Sequence, residues 1–576
     1  MRILILCHAF NSLSQRVFAE LAAAGHEVSV EFDISDEVTR EAVALFEPDV
    51  IVAPFLKRRI PDEVWRAVPC LIVHPGPPGD RGPNALDWAV LEGKPEWGVS
   101  IIRATGELDG GPVLAYRMFP MRHARKSSLY RFEVTEAAVA ALAEGLAMAL
   151  GRIDAPAAPP DTTTWRGAVP KGLRRIDWQA DDSETILRKI MSADGQPGAS
   201  AVLAGLNVRL FDARPEPGVS GRPGTLMARS GGAVLVGARG GALWIGKLRL
   251  EGDKQFKRRA VDVLVEHAAP EAQATSLPEW PPEPFAEPGR GPVRYREHGN
   301  VGVLEFDYYN GAMSTGDCAE LLPVFNEIRS RPVRVIVLAG GSDFWSNGMD
   351  LNTIEASMSA ADESWANINA IDDLAEAIIR TTDKLTVSAL AGNAAAGGVF
   401  LALAADEVWA RDGIVLNPHY KNMGNLYGSE FWTYLLPKRV GEAGVEAVMG
   451  HRLPMLGRQA ESLGLVDAVG PNDARRFRAW ALERAGRLAD RGWEDAITFK
   501  KNNLLAEEQD KLLEAWRAVE LERMKMNFYG FDPSYHVARY RLVQRTPHAW
   551  TPLYLARHRC IGAETRNSIE TADERR

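Results

Sequence analysis

Residues 385–405 read LTVSALAGNAAAGGVFLALAA. Leu385–Leu390 is an apolar run of strand length, Gly392 to Val399 is a glycine- and alanine-rich turn, and Phe400–Ala405 reads as the helix it opens. A strand that passes through such a turn into a helix leaves backbone N–H groups pointing outward. A second strand, Val333–Leu338, runs likewise into Phe344-Trp-Ser-Asn-Gly-Met-Asp-Leu351. Two such amides converging on one oxygen form an oxyanion hole, each donor worth roughly 2.7–4 kcal/mol to a transition state. A Gly-Gly pair before a helix also serves as a plain packing device. With the strand Val301–Phe306, the helix Cys318–Ser330 and a helix near Asp372–Thr381, the pattern predicts an α/β fold for this half.

Downstream, residues 416–432 read LNPHYKNMGNLYGSEFW. The apolar run Gly413–Leu416 leads into a loop that carries Tyr420 and, ten positions on, Glu430. A phenol and a carboxyl group can work as an acid–base pair; each is equally at home as a structural group in a loop or at a helix start. Arg475–Leu488, Ala496–Gln509 and Lys511–Asn527 have apolar residues at helical spacing, suited to core or oligomer packing. The segment Arg539–Arg545 is rich in guanidinium groups, for a solvated surface or a cofactor phosphate. Beyond Ala563 the polar tail reads as frayed.

The first third alternates strand and helix: Arg2–Cys7, Ser14–Ala24, Val28–Phe32, Glu37–Phe46 and Val50–Ala53. That rhythm predicts a parallel sheet wound with helices, with ligands beyond the carboxyl ends of its strands. No GxGxxG follows the first strand, so a dinucleotide fingerprint is absent. Leu71–Val73 delivers His74 to a Gly/Pro-rich loop, and Gly98–Ile102 is followed by a loop offering Asp109. An imidazole tuned by a carboxylate suits proton shuttling in acyl transfer.

Between these halves, Ala155–Pro160 reads as a linker, followed by a small, mostly β module with strands near Ala201–Leu203, Val208–Phe211, Ala233–Val236 and Leu243–Ile245. Leu277–Pro292, with six prolines, reads as a second spacer. The predicted domains are 1–160, 161–276, the linker 277–292, and 293–576. A chain of 576 residues is long enough for several cores. Its net charge of −9 gives no reason to expect nucleic acid, and Lys254–Arg259 reads as a solvated basic patch or, less directly, a phosphate contact. Four scattered cysteines lack metal-ligand spacing, so no metal is expected, and they fit reduced thiols. No stretch reaches membrane-spanning length and the N-terminus reads as a strand, so a cytoplasmic protein is expected.

Several motifs carry family resemblances. His74-Pro-Gly-Pro, Arg81-Gly-Pro-Asn-Ala-Leu-Asp-Trp-Ala89, Gly98-Val-Ser-Ile-Ile102 and Leu108-Asp-Gly-Gly-Pro-Val-Leu114 resemble 10-formyltetrahydrofolate-dependent formyltransferases. The resemblance implies action at the formyl group by His74 and Asp109, and it extends to an open-barrel middle domain. Where that family has an Asn two residues before the His, this chain has Ile72, so transfer to a usual amine acceptor is in question. The second half resembles the crotonase (enoyl-CoA hydratase/isomerase) superfamily, through Ser346-Asn-Gly-Met-Asp-Leu351 and Gly397-Gly398. This implies Met349 and Gly397 N–H groups gripping a CoA thioester carbonyl. The two hydratase glutamates fall on Phe400 and Tyr420, which rules out hydration by the usual pair.

Both halves together, with LNPHYKNMG and YGSEFWTYLLP, resemble the HypX/HoxX family of hydrogenase maturation factors over essentially the whole chain. That resemblance implies synthesis of carbon monoxide for NiFe-hydrogenase: formyl transfer from 10-formyltetrahydrofolate to coenzyme A, then decarbonylation of formyl-CoA. It implies His74, Asp109, Tyr420 and Glu430 as catalytic groups and Ile72, Arg81, Arg131, Gly398 and Arg541 as cofactor contacts. Folate, CoA and hydrogenase maturation proteins are the implied partners, and an oligomer is possible. A formyl-CoA hydrolase and a non-catalytic folate/CoA carrier remain the alternatives.

Overall fold

The structure, a computed structural model, describes residues 1–152, 164–252, 255–269, 276–287 and 290–560. The linker expected at Ala155–Pro160 and the tail beyond Ala563 lie outside the described residues. The chain divides into two compact units. One joins Met1–Ile176, Glu184–Ser200 and the segment from Pro547 onward; the other joins Asp177–Ser183 and Ala201–Thr546.

The first unit is built on a six-stranded sheet. Arg2–Cys7, Glu27–Phe32, Val50–Phe55 and Cys70–His74 run parallel, as the alternation of strands and helices predicts. Their cores are buried on both faces, which is why they read as continuous apolar runs. Asn11 and Ser35 cap the helices Ser12–Ala23 and Asp36–Phe46 by accepting the N–H groups of Ser14 and Val38. The sheet is not parallel throughout. Glu96–Arg103 pairs antiparallel with Cys70–His74, and Val113–Pro120 pairs antiparallel with Glu96–Arg103. An apolar run signals a strand but not its direction.

The chain's last described segment belongs to this unit, which corrects the expected boundary of 293–576. Val30 N–H donates to the Leu555 carbonyl at 3.0 Å, and Phe32 N–H to the Thr551 hydroxyl at 2.8 Å. Glu31, fully buried, lies 3.0 Å from His558 Nε2 and 2.6 Å from Arg559 Nη2. Stripping the partners from a buried carboxylate typically costs about 3–5 kcal/mol. Ending the chain after Thr546 is therefore expected to lower the melting temperature of this unit by several degrees, and adding Glu31→Gln to recover part of the loss. Thermal melts of the three proteins check this.

In the second unit, Leu206–Pro215, Leu226–Ser230, Ala233–Ala238 and Gly241–Leu250 form the antiparallel barrel sheet. A mostly parallel sheet follows, in the order Val293–His298, Val301–Phe306, Val335–Gly340, Leu385–Leu390, Glu407–Arg411 and Ala468–Gly470. Four short strands make a smaller sheet: Phe344–Ser346, Asn393–Ala395, Val415–Asn417 and Met455–Leu456. The first three of these run directly into the turns singled out in the sequence. Long helices cover them, including Ala360–Ile379 and Leu513–Tyr529. Among the described residues no helix is long and apolar enough to cross a membrane.

Two expectations fail in this unit. The proline-rich segment is not a spacer: Trp280 donates its N–H to the Arg229 carbonyl and packs its ring 6.2 Å from Trp244, and the Pro284 carbonyl accepts the Tyr295 N–H. Prolines remove donors but leave rings and carbonyls free to pack. The basic run is not solvated over residues 257–259. Lys257 is buried over the rings of Phe211 and Tyr309 and donates to the Tyr309 hydroxyl, while Arg258 and Arg259 pair with Glu266 and Asp262. Lys254 lies outside the described residues.

Candidate functional site

In the first unit, the strand Cys70–His74 presents Ile72 and His74 to one side of the sheet, since alternate residues share a face. Both line a cavity of about 620 Å³, together with Asp109, Asn84, Trp65 and Tyr130. That volume lies within the roughly 300–1,000 Å³ typical of small-molecule sites. His74 is buried between two carboxylates. Its Nε2 lies 3.0 Å from Asp80 Oδ2, and its Nδ1 lies 3.7 Å from Asp109 Oδ2.

Asp80 was not singled out in the sequence, although it stands in the loop that follows His74. It is reached because Pro77–Asp80 closes a turn, and because position 76 is glycine. A Cβ at Gly76 would sit 2.4 Å from Asp80 Oδ2 and 2.5 Å from His74 Nε2. Asp109 takes a left-handed φ of +49° and accepts the Gly82 N–H at 3.1 Å, which ties the two loops together. Arg81 is placed differently from expectation. It donates to Glu107 and to the Leu108 carbonyl, holding the Asp109 loop from outside the cavity lining. Arg131 lies beside Tyr130 in the π-helical turn Tyr130–Val134, and only Tyr130 reaches the cavity wall.

In the second unit, the two predicted turns meet. A Cβ added to Gly348 would lie 3.5 Å from the Cα and the N of Gly397. The Gly348 turn is pinned by Met313, whose N–H donates to the Gly348 carbonyl and whose carbonyl accepts the Asp350 N–H. Neither the Met349 nor the Gly397 N–H has an acceptor among the described residues. Ala396, just before the helix Gly397–Leu403, holds a φ of +47°, a strained value for a residue with a side chain. Gly398 has a packing role: a Cβ there would meet the Ser346 carbonyl oxygen at 2.1 Å. Arg541 is exposed on the helix Ser534–Gln544, apart from the residues that touch Tyr420 and Glu430.

Tyr420 and Glu430 are joined directly. The Tyr420 hydroxyl lies 2.5 Å from Glu430 Oε2 and 3.0 Å from the Ser429 carbonyl. Both orders of protons are satisfied. With Glu430 ionised, the phenol donates to it; with Glu430 protonated, the acid donates to the phenol and the phenol to the carbonyl. Phe400 stacks on Tyr420 with centroids 5.1 Å apart, and a Cβ at Gly428 would fall 2.0 Å from the tyrosine ring. A Cβ at Gly397 would fall 2.0 Å from Glu430 Oε1, so the carboxyl group is packed against the predicted oxyanion donor.

Burial, and then the charge of Asp372, push Glu430 up to about 8. Burial and Glu430 raise the Tyr420 phenol well above its ordinary value. Two carboxylates absent from the sequence reading stand behind the pair. Asp372 accepts the Glu430 N–H at 2.8 Å and the Ser429 hydroxyl at 2.7 Å. Glu520 accepts the N–H groups of Phe431 and Thr433. Both sit on long helices whose charges read as solvent-facing, so no local signal marks them.

Comparison with known proteins follows the same division. Residues 12–146 match the family described as Formyl transferase, 169–261 Formyl transferase, C-terminal domain, and 297–531 Enoyl-CoA hydratase/isomerase. The hydrogenase maturation factor HoxX of Bradyrhizobium diazoefficiens is 53% identical over 563 residues, covering 97% of each chain. The crystal structure of HypX from Aquifex aeolicus in complex with tetrahydrofolic acid superposes with a TM-score of 0.93 at 48% identity, covering 97% of this chain and 99% of that one. A methionyl-tRNA formyltransferase of Pelobacter propionicus is 28% identical over 220 residues, 38% of this chain and 68% of its own.

Proposed function

We propose, from the premise that the chain belongs to the HypX/HoxX family of hydrogenase maturation factors, that it makes carbon monoxide for the active site of NiFe-hydrogenase. The formyl group of 10-formyltetrahydrofolate passes to the thiol of coenzyme A at the His74 site, and formyl-CoA then loses CO at the Tyr420–Glu430 site. The observation that carries this reading is the buried 2.5 Å contact between Tyr420 and Glu430, set against the Gly397 turn.

The folate side rests on the cavity beside His74 and on the relative whose crystals hold tetrahydrofolic acid. His74 takes the thiol proton as the sulfur attacks the formyl carbon, Asp80 and Asp109 stabilise the imidazolium, and the same proton passes to N10 as the C–N bond breaks and tetrahydrofolate leaves. Ile72 leaves an apolar wall where the resembling formyltransferases hold an amide. That suits a thiol acceptor, which needs no hydrogen bond to hold it.

For CoA the supporting feature is a cradle that side chains would fill. The Gly348 and Gly397 turns lie against each other, and the Met349 and Gly397 amides, without acceptors among the described residues, are the donors for the thioester oxygen. Glu430 accepts the formyl proton, the C–H electron pair becomes the carbon lone pair of CO, and Tyr420 protonates the departing sulfur. The proton on Glu430 then returns across the short contact to Tyr420, and the pair is reset with no net proton taken from solvent. Hydrolysis to formate needs a water beside Glu430. Phe400, stacked on Tyr420, stands where the resembling hydratases have a glutamate and cannot activate that water.

The test mixes the purified full chain with 10-formyltetrahydrofolate and CoA and assays the headspace for CO by haemoglobin absorbance. CO appearing with tetrahydrofolate is expected. Formate in place of CO identifies a hydrolase, and ligand binding without consumption of the donor identifies a carrier.

A further inference from the structure

The turn that carries Glu430 is an unusual one. Glu430 and Phe431 are consecutive residues with φ of +61° and +59°, a region that side-chain-bearing residues seldom occupy even singly. Such a turn persists only where its surroundings over-determine it. Here the surroundings are two carboxyl groups, both fully or nearly fully buried. Asp372 takes the Glu430 N–H on Oδ1 and the Ser429 hydroxyl on Oδ2. Glu520 takes the Phe431 N–H on Oε2 and, on Oε1, the N–H and hydroxyl of Thr433. Every backbone N–H from 430 to 433 bonded in this way comes from the turn or the first helical turn after it.

Neutral acceptors such as carbonyl or amide oxygens could take these buried N–H groups without placing carboxyl groups in the core. Burying two carboxyl groups to grip a backbone is costly even where each is hydrogen-bonded. We propose that Asp372 and Glu520 are positioning residues for Glu430, which hold its turn so that the carboxyl meets Tyr420 and Gly397, and that the charge of Asp372 sets the pH at which Glu430 acts as a base. The inference rests on the reading of Glu430 as that base.

The titratable groups that act on Glu430 are Asp372 from one helix, Glu520 from another, Cys318 from a third, and Tyr420 from its own loop, while Asp373 and Arg517 act on Asp372. Arg517 reaches Asp372 at 3.7 Å, so Asp372, with this cation and two donors, keeps its charge more readily than Glu430 does. Of these two, Glu430 is the one that holds the proton near neutrality.

Two variants separate grip from charge. Asp372→Asn keeps the acceptor for the Glu430 N–H and removes the charge; Asp372→Ala removes both. With formyl-CoA supplied directly, the rising limb of CO release against pH is expected to move down by about one unit or more in the Asn variant. In the Ala variant the plateau is expected to fall roughly tenfold or more with KM little changed, since a misplaced catalytic group costs turnover more than binding. Infrared titration of the Glu430 carboxyl, identified by its loss in Glu430→Gln, gives a readout that needs no turnover. A lower midpoint in the Asn variant supports the proposal even if the parent were found to release no CO, which would overturn only the functional reading. An unmoved midpoint in folded Asp372→Asn overturns the proposal.

Discussion

Glu430→Gln is expected to cut CO release by roughly 10²–10⁴-fold, the usual contribution of a positioned general base, and to leave the protein more stable than its parent above neutral pH. Gln keeps the shape and can still accept from the Tyr420 hydroxyl, but it cannot take the formyl proton. The stability gain follows from linkage. The folded protein holds the Glu430 proton up to about pH 8, whereas an ordinary carboxyl loses it near 4.5. Between those values the folded state binds a proton that the unfolded chain does not, so the parent loses stability as pH rises, by at most about 1.4 kcal/mol per pH unit. Below pH 4.5 the contribution is fully present; above 8 the loss is complete. Gln does not titrate, so the difference between the two melting temperatures should widen from pH 5 to pH 8 in favour of the variant. Glu520, also raised to about 8 by burial, and Asp372, raised to about 6 by burial, bend both curves in the same direction, so the sign of the difference is set by Glu430. Thermal melts across that range check the sign, and a difference that stays flat or reverses removes the case for a burdened carboxyl.

That trade of stability for reactivity explains which parts of the site can be read from sequence. Residues that the backbone frame delivers were legible: His74 at the end of a strand, Met349 and Gly397 at glycine turns, Tyr420 in the loop after Leu416. Each is announced by an apolar run that stops at a glycine or proline. Residues that the site recruits from elsewhere were not. Asp372 and Glu520 interrupt nothing in the helical spacing of their segments, and a carboxylate on an amphipathic helix reads as solvated until the opposing turn is seen. Asp80 stands in the loop after His74, yet its reach to the imidazole depends on Gly76 being small enough to let the turn fold back. The same blindness applied to the domain boundaries. Pro547–Cys560 has no regular apolar period, because it docks largely through polar contacts, with Thr551, His558 and Arg559 all reaching the buried Glu31. Proline content likewise suggested a spacer at 277–292, where the Trp280 ring and backbone groups instead make contacts.

His74→Ala is expected to separate the two reactions. Consumption of 10-formyltetrahydrofolate should fall by roughly 10²–10⁴-fold, as for loss of any positioned acid–base group, while CO release from supplied formyl-CoA stays near the parent rate. The complementary Glu430→Gln protein should still convert the folate, and the amount it converts carries further information. If CoA remains bound, the Gln protein stops after about one equivalent of tetrahydrofolate, since its single thiol is then blocked. If CoA exchanges, conversion continues until the free CoA is formylated. Asp80→Asn provides an internal control on the cause of the His74 effect. It keeps an acceptor beside Nε2 but withdraws the negative charge that stabilises the imidazolium, so folate turnover should fall while binding of tetrahydrofolate is retained. Loss of binding together with turnover in that variant would instead mean that the 3.0 Å contact holds the cavity open and does not tune the base. The His74 protein then discriminates between the halves of the proposal: if it released CO from 10-formyltetrahydrofolate as fast as the parent, the formyl group would have to enter by a route that bypasses the imidazole, and only the Tyr420–Glu430 chemistry would survive.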